Sequence, residues 1–142
     1  MATIQLEIVS PDKLVYTADI AMLIVRSTGG ELGILPHHAP LVTGLIPHVM
    51  RVKFEDREQL IAVAGGFMEV QPAKITILAS AAELPIDIDV NRAKQAYKRT
   101  NERLEAFKQS PEQLHDFDAS RAQAALARAK ARLVATKTDI EK

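Results

Sequence analysis

Residues 58–79 read EQLIAVAGGFMEVQPAKITILA. Two short apolar runs flank the pair Gly65-Gly66, and a turn around Pro72 separates them from a third, alternating run. Alternation with a period of two is typical of strands that bury one face, and glycine and proline between such runs indicate tight turns. This stretch therefore predicts short consecutive β-strands, and the residues on its N-terminal side follow the same pattern.

The same alternation recurs through the first half of the chain. The clearest instances are Ile4/Leu6/Ile8, Met22/Ile24 and Ile75/Ile77. Residues 55–57 form another turn-like separator, and no helical pattern intervenes. Many short strands joined by frequent turns indicate an all-β sandwich or flattened barrel, and we expect about ten strands.

The second half of the chain is helical in pattern. Two apolar stripes recur at helical spacing, one through Val90, Ala93, Tyr97, Thr100, Leu104 and Phe107, the other through Ala122, Ala125, Leu126, Ala129 and Leu133. Asp87 or Asp89 begins the first helix, Ser110-Pro111 ends it, and Asp118 or Ser120 begins the second. The short connection predicts an antiparallel α-hairpin, and the alanine-rich stripe predicts weak packing.

A shift in composition places the boundary between these parts near Pro85. All six glycines and five of the seven prolines precede residue 73. Residues 1–86 carry six basic and nine acidic side chains, whereas residues 87–142 carry twelve and nine. We therefore expect a β-sandwich over residues 1–84 and a helical hairpin over residues 85–142.

Composition and motifs argue against several classes of function. Eighteen basic side chains balance eighteen acidic ones, so no net field draws the chain to nucleic acid or a membrane. The longest stretch without charge, residues 32–50, contains three prolines that would interrupt a membrane helix. The four histidines lack acidic partners at ligand spacing, and cysteine is absent, so no metal site is expected. No phosphate-binding loop or nucleophile motif is present, so no catalytic residue is predicted.

Arginines form a stripe beside the apolar face of each predicted helix. Arg92, Arg99 and Arg103 lie on the first helix, and Arg121, Arg128 and Arg132 lie within about 40° of one another on the second. A solvated, helix-stabilising face explains such a pattern. Capture of an anion by converging guanidinium groups and docking onto an acidic partner are the functional alternatives.

Several motifs together resemble one known family. They are the segments GELGILP (30–36) with HAPL (38–41), AGGFMEV (64–70), ITILA (75–79), IDVNRA (88–93) and the arginine-bearing second helix. This combination is similar to the epsilon subunit of bacterial rotary ATP synthases, over essentially the whole chain. The resemblance implies a sandwich of about ten strands followed by two helices. It also implies a non-catalytic subunit of the central stalk.

The resemblance further implies partners and a location. The gamma subunit and the ring of c subunits would bind the sandwich, and rotation would be coupled to ATP synthesis in the alpha/beta head. The helices would inhibit ATP hydrolysis. The chain would lie on the cytoplasmic side of the bacterial cell membrane, held there peripherally through the complex. Exposed apolar loops would form the subunit interface through Glu31, Leu32, Gly33, Ile34, Leu35, Leu41 and Leu45.

Some members of this family bind ATP without hydrolysing it when the hairpin is folded down. The matching residues here are Glu83, Ile88, Asp89, Arg92, Ala93, Arg121, Arg128 and Arg132. One departure is the segment between the helices, residues 108–117, which is a few residues longer than in shorter members. ATP would thus be a regulatory ligand, and no cofactor is expected.

Two rival interpretations stay open at this point. An independent binding module would use the charge-free stretch 32–50 as a ligand groove. A nucleic-acid-binding protein would use the basic second helix and would show steeply salt-dependent binding. A hydrolytic enzyme is the remotest alternative, because no catalytic constellation is visible.

Overall fold

The computed structural model of the chain describes residues 2–114 and 116–137. Ten strands occupy the first part of the chain. They are β1 (Ile4–Val9), β2 (Leu14–Ile20), β3 (Met22–Ser27), β4 (Gly30–Ile34), β5 (Leu41–Leu45), β6 (His48–Lys53), β7 (Glu58–Val63), β8 (Gly66–Gln71), β9 (Lys74–Ala79) and β10 (Ala82–Glu83).

Two groups of strands enclose one apolar core. The order β10-β7-β6-β3, with β4 on β3, continues through a single pair, Ser27 with Leu45, into β5-β8-β9-β1-β2. All pairings are antiparallel except that of β1 with β9, which is parallel. Alternate side chains from both groups meet in the core, among them Ile8, Met50 and Ile77. The predicted all-β sandwich of about ten strands followed by two helices is confirmed.

The glycine pair between β7 and β8 is required by close backbone packing. Gly65 and Gly66 have φ angles of +119° and +142°, a region that other residues rarely adopt. A Cβ atom on Gly66 would lie 2.1 Å from the carbonyl oxygen of Leu78. The chain can pass from β7 to β8 at this point only with glycine.

The expectation of exposed loops at residues 31–35 and 41–46 is wrong in part. Most of the first segment lies in β4, which pairs with β3, and most of the second is β5, which pairs with β8. Because side chains alternate between the two faces of a strand, Ile34 is fully buried and Leu45 is 5% exposed. Leu35, which follows β4, is 54% exposed.

A short 3-10 helix, Pro85–Asp87, leads from β10 into the helices. α1 spans Val90–Gln109 and α2 spans Ala119–Ala135, and a second 3-10 helix, Pro111–Leu114, lies in the connection between them. Each α-helix begins with an aspartate that accepts a hydrogen bond from a backbone N–H: Asp89 from Arg92 and Asp118 from Arg121. Phe107 and Phe117 stack near the connection, with ring centroids 5.3 Å apart.

α2 contacts both α1 and the sandwich. Ala129 and Leu133, from the predicted stripe, are buried, but so are Ala131 and Ala135 on another face of the helix. The latter two pack with Ala62 of β7 and Ile88. Alanine buries little apolar area, so this contact with the sheet contributes only modest stability.

Within residues 2–114 and 116–137, no helix is long and apolar enough to span a membrane.

Candidate functional site

An ion pair joins the end of the sandwich to the last turns of α2. Nε of Arg132 donates a hydrogen bond of 2.6 Å to Oε1 of Glu83, which lies on β10. The two side chains are about one-third exposed. A pair with this exposure and short distance orients both side chains, although water still screens part of the attraction.

A cavity of about 360 Å³ opens beside this ion pair. The N-cap and first three turns of α1 form one wall, and Glu83 and Arg132 form the other. Its lining residues are Glu83, Asp89, Arg92, Ala93, Gln95, Ala96, Arg99 and Arg132. The cavity is within the size range of small-molecule sites, about 300–1,000 Å³.

The charges in this cavity favour an anion. Three arginines line it, Arg92 and Arg99 from α1 and Arg132 from α2, against the carboxylates of Glu83 and Asp89. Glu83 is paired with Arg132, and Asp89 accepts a hydrogen bond from the backbone N–H of Arg92 as the N-cap of α1. Both carboxylates are therefore engaged, which leaves the guanidinium groups of Arg92 and Arg99 facing the cavity with no hydrogen bond or ion pair among the described residues.

The spacing of the two α1 arginines follows from the helix. Arg92 and Arg99 are seven residues apart, so they lie on nearly the same face and about 10 Å apart along the axis. Planar guanidinium groups bind phosphate oxygens through paired N–H donors. An elongated ligand with several anionic groups matches this arrangement better than a single compact ion.

The structure brings together most of the predicted ATP-binding residues. Glu83, Asp89, Arg92, Ala93 and Arg132 line the cavity. Arg128 lines a smaller adjoining space, which it shares with Glu83 and Arg132.

Ile88 and Arg121 are placed differently. The Ile88 side chain is 8% exposed and packs against the alanines of α2 and β7, so it holds the hairpin and does not face the cavity. Arg121 is exposed in the first turn of α2, about 16 Å along the axis from Arg132, and does not line the cavity.

Two further lining residues, Gln95 and Ala96, have no signal in the sequence. They belong to no charged or apolar stripe, and only the packing of α1 against α2, beside β10, shows that they face the cavity. Arg99 had a signal, since its spacing from Arg92 places both on one stripe, but the family motif does not include it.

The predicted subunit interface is only partly on the surface. Leu35 and Glu31 are exposed, as is Gly33, whereas Leu32 and Leu41 are half-buried and pack against the core. Ile34 and Leu45 are core residues and cannot contact a partner in the folded chain.

A larger apolar patch lies on the outer face of β5, β8 and β9. It consists of Val42, Phe67 and Leu78, which are 72%, 62% and 57% exposed. Phe67 pairs with Leu78 on one side and with Gly44 on the other, and the missing side chain at Gly44 leaves the ring uncovered. Val42 is a diagonal neighbour of Phe67 on the same face. Sequence reasoning placed Phe67 and Leu78 in predicted strands but did not identify which face of those strands stays exposed.

Residues 3–85 match the family model described as "ATP synthase, Delta/Epsilon chain, beta-sandwich domain", and residues 87–137 match "ATP synthase, Delta/Epsilon chain, long alpha-helix domain". The chain is 50% identical over 109 residues to an ATP synthase epsilon chain of Alkalihalophilus pseudofirmus, covering 77% of this chain and 82% of the relative. It is 47% identical over 133 residues to that of Halalkalibacterium halodurans, covering 94% and 96%.

Solved structures share the fold. A chain of the Euglena gracilis mitochondrial ATP synthase superposes with a TM-score of 0.74 at 24% identity, covering 96% of this chain and 82% of that one. A chain from the central stalk and c-ring of the Tetrahymena thermophila mitochondrial ATP synthase gives 0.60 at 12% identity, covering 95% and 97%.

Proposed function

The chain belongs to the ATP synthase delta/epsilon family, and on that premise we propose that it is a non-catalytic subunit of the central stalk. In this role the sandwich couples rotation of the c-subunit ring to ATP synthesis in the alpha/beta head, and the helical hairpin restrains ATP hydrolysis. The complex holds the chain on the cytoplasmic side of the bacterial cell membrane. Support comes from the match of both parts of the chain to the family.

The surface of the sandwich suggests where the partners bind. Val42, Phe67 and Leu78 form a patch that solvent covers in the isolated chain. A contiguous apolar patch of large side chains marks an interaction surface. We assign this patch to the gamma subunit, and the exposed Leu35 and Glu31 to the contact with the c ring.

The observation that carries the regulatory part of the proposal is the arginine-lined cavity between β10, α1 and α2. ATP carries several negative charges in a line, and Arg92 and Arg99 present guanidinium groups at intervals along α1. Arg132 adds a third from α2. Bound ATP would therefore bridge the two helices and the end of the sandwich.

ATP in this cavity would be a structural ligand and not a substrate. The sequence contains no phosphate-binding loop with its lysine. A ligand that binds only the docked hairpin stabilises it by RT ln(1 + [L]/Kd), about 2.7 kcal/mol at a hundredfold excess over Kd. That adds to the modest apolar contact of α2 with the sheet, so plentiful ATP would keep the hairpin docked and hydrolysis unrestrained.

Titration of the full chain with ATP tests this proposal, by calorimetry for affinity and by amide chemical shifts for location. We expect shifts at residues 83, 89–99 and 132, and a matched titration with inorganic phosphate should give weaker binding. Absence of binding at millimolar ATP would contradict the proposal. The arginines of the cavity would then have only the alternative role of docking on an acidic surface of a partner.

A further inference from the structure

A second groove, of about 430 Å³, lies where α2 crosses the outer face of the sheet. β3, β4, β6 and the turn before β6 form one wall, and α2 forms the other. The α2 residues are Ala127, Lys130, Ala131 and Val134, whose spacing places them on one face of the helix. No lining residue is shared with the arginine-lined cavity. The docked hairpin therefore completes this groove, and neither part of the chain forms it alone.

The floor of the groove is apolar. Ile24 of β3 and Val49 of β6 face outward, because the residues on either side of each one in its strand are buried in the core. The sheet partner of Ile24 on β4 is Gly33, so no side chain covers Ile24 from that strand. Val134, on the α2 wall, is 42% exposed. A strip of aliphatic carbon thus remains accessible between the sheet and the docked helix.

The charged residues of the groove leave one cation without a partner. Arg51 forms an ion pair of 2.9 Å with Glu58, and Arg26 lies 3.6 Å from Glu31. Lys130 lines the groove from α2 and has no hydrogen bond or ion pair among the described residues. The groove therefore combines an apolar floor with one uncompensated positive charge.

The geometry points to this groove as a binding site for an alkyl carboxylate, a free fatty acid with a single chain. The carboxylate accepts a charge-assisted hydrogen bond from Nζ of Lys130, and the chain lies across Ile24 and Val49. A polyanion would find only one free cation here, and a purely apolar ligand would leave that cation unmatched. A phospholipid carries two chains, whereas the floor is a single strip.

A ligand in this groove contacts α2 and the sheet at the same time. It binds the docked hairpin and loses one wall of its site when α2 lifts away, so its binding favours the docked state. The binding site itself does not depend on the proposed function of the chain. An effect of the ligand on ATP hydrolysis would depend on that function, so the test below measures binding and not activity.

Titration of the full chain with octanoate, followed by methyl and amide chemical shifts, tests the inference. We expect shifts at Ile24, Val49 and Val134. Affinity should rise along the series hexanoate, octanoate and decanoate by up to about fourfold for each buried methylene group, and acetate should not bind detectably. Vesicles of phosphatidylglycerol, which present a negative charge on a two-chain lipid, should not produce these shifts.

Variants at exposed positions separate the charge from the apolar contact. Lys130→Gln should weaken octanoate binding by about threefold, because the cation is accessible to water, and should leave binding of octanol unchanged. Val134→Ser removes apolar surface from the wall and should weaken both ligands. Lys98→Gln is the matched control, since Lys98 is an exposed cation of α1 that does not line the groove.

The other two surfaces that could take such a ligand are distinguished by the location of the shifts. Shifts confined to Phe67 and Leu78 would mean adsorption on the more exposed apolar patch of the sandwich. Shifts confined to Arg92 and Arg99 would place the carboxylate in the arginine-lined cavity. Either result, the same shifts with phosphatidylglycerol vesicles, or equal octanoate affinities of Lys130→Gln and the wild type would overturn the inference.

Discussion

Arg132 and Glu83 are 49 positions apart, and their side chains form a hydrogen bond of 2.6 Å. The pair is a polar connection between α2 and the last strand of the sandwich, beside an apolar contact made mostly of alanine. Arg132 also lines the cavity from α2, and Glu83 lines it from β10. The docked state of the hairpin and the shape of the cavity therefore depend on the same two residues.

Replacing Glu83 with Gln should weaken docking of the hairpin without ATP. The loss should be about 1 kcal/mol, because the pair is partly exposed and screened. The distance between spin labels at Asp12→Cys on the sandwich and Gln123→Cys on α2, both exposed positions, measures it. Glu105→Gln is the control. It removes a carboxylate that lies 3.7 Å from Lys108 within α1 and does not link the hairpin to the sandwich, so docking should be unchanged. Equal effects of the two variants would contradict a role for the pair in docking.

Arg92→Ala should weaken ATP binding at least tenfold, the effect of losing one charge-assisted hydrogen bond of about 1.5–3 kcal/mol. Calorimetry measures the change in Kd. Lys94→Ala is the matched control, since Lys94 is an exposed cation in the same turn of α1 that does not line the cavity. If both variants bind ATP like the wild type, the cavity is not the ATP site.

Phe67→Glu and Ile34→Glu should fail in different ways. Phe67 is 62% exposed, so the charge should leave the fold intact and reduce assembly with the gamma subunit in a pull-down. Ile34 is fully buried, so an unpaired charge there should cost about 3–5 kcal/mol and unfold the sandwich. Normal assembly of Phe67→Glu would show that the partner binds elsewhere.

Gly66→Ala should destabilise the sandwich by more than about 3 kcal/mol, because the added Cβ meets a backbone oxygen and φ is positive. The measurement is the free energy of unfolding in urea. Gly29→Ala offers a control in another turn, where the nearest atom to the added Cβ is 3.8 Å away, and it should change stability little. Similar losses for the two variants would argue against the close approach at Leu78.

A chain that ends after Leu84 should fold and still support coupled synthesis. Every residue of the main core lies before position 84, and Leu84 itself packs against that core. Circular dichroism and a thermal melt check the fold. Restraint of ATP hydrolysis should be lost on reconstitution, and unchanged hydrolysis under inhibiting conditions would contradict a regulatory hairpin.

Local features of this chain were predictable because neighbouring residues produce them. The alternation in residues 4–8 and 75–77 predicts strands, since successive side chains point to opposite faces. Asp89 and Asp118 were among the predicted N-caps, because capping joins residues only three positions apart. The family motif likewise located Asp89, Arg92 and Ala93 of the cavity, because these residues are close neighbours at the start of α1.

Tertiary structure decided which surfaces and cavities exist. Ile34 and Leu35 are adjacent and similar in chemistry, yet one is buried and the other exposed, because the pairing register of β4 with β3 determines which face each occupies. Burial of Ala131 and Ala135 depends on where α2 rests on β6 and β7. Such contacts join residues far apart in sequence, and they arise only when the packing of the whole chain orients both elements.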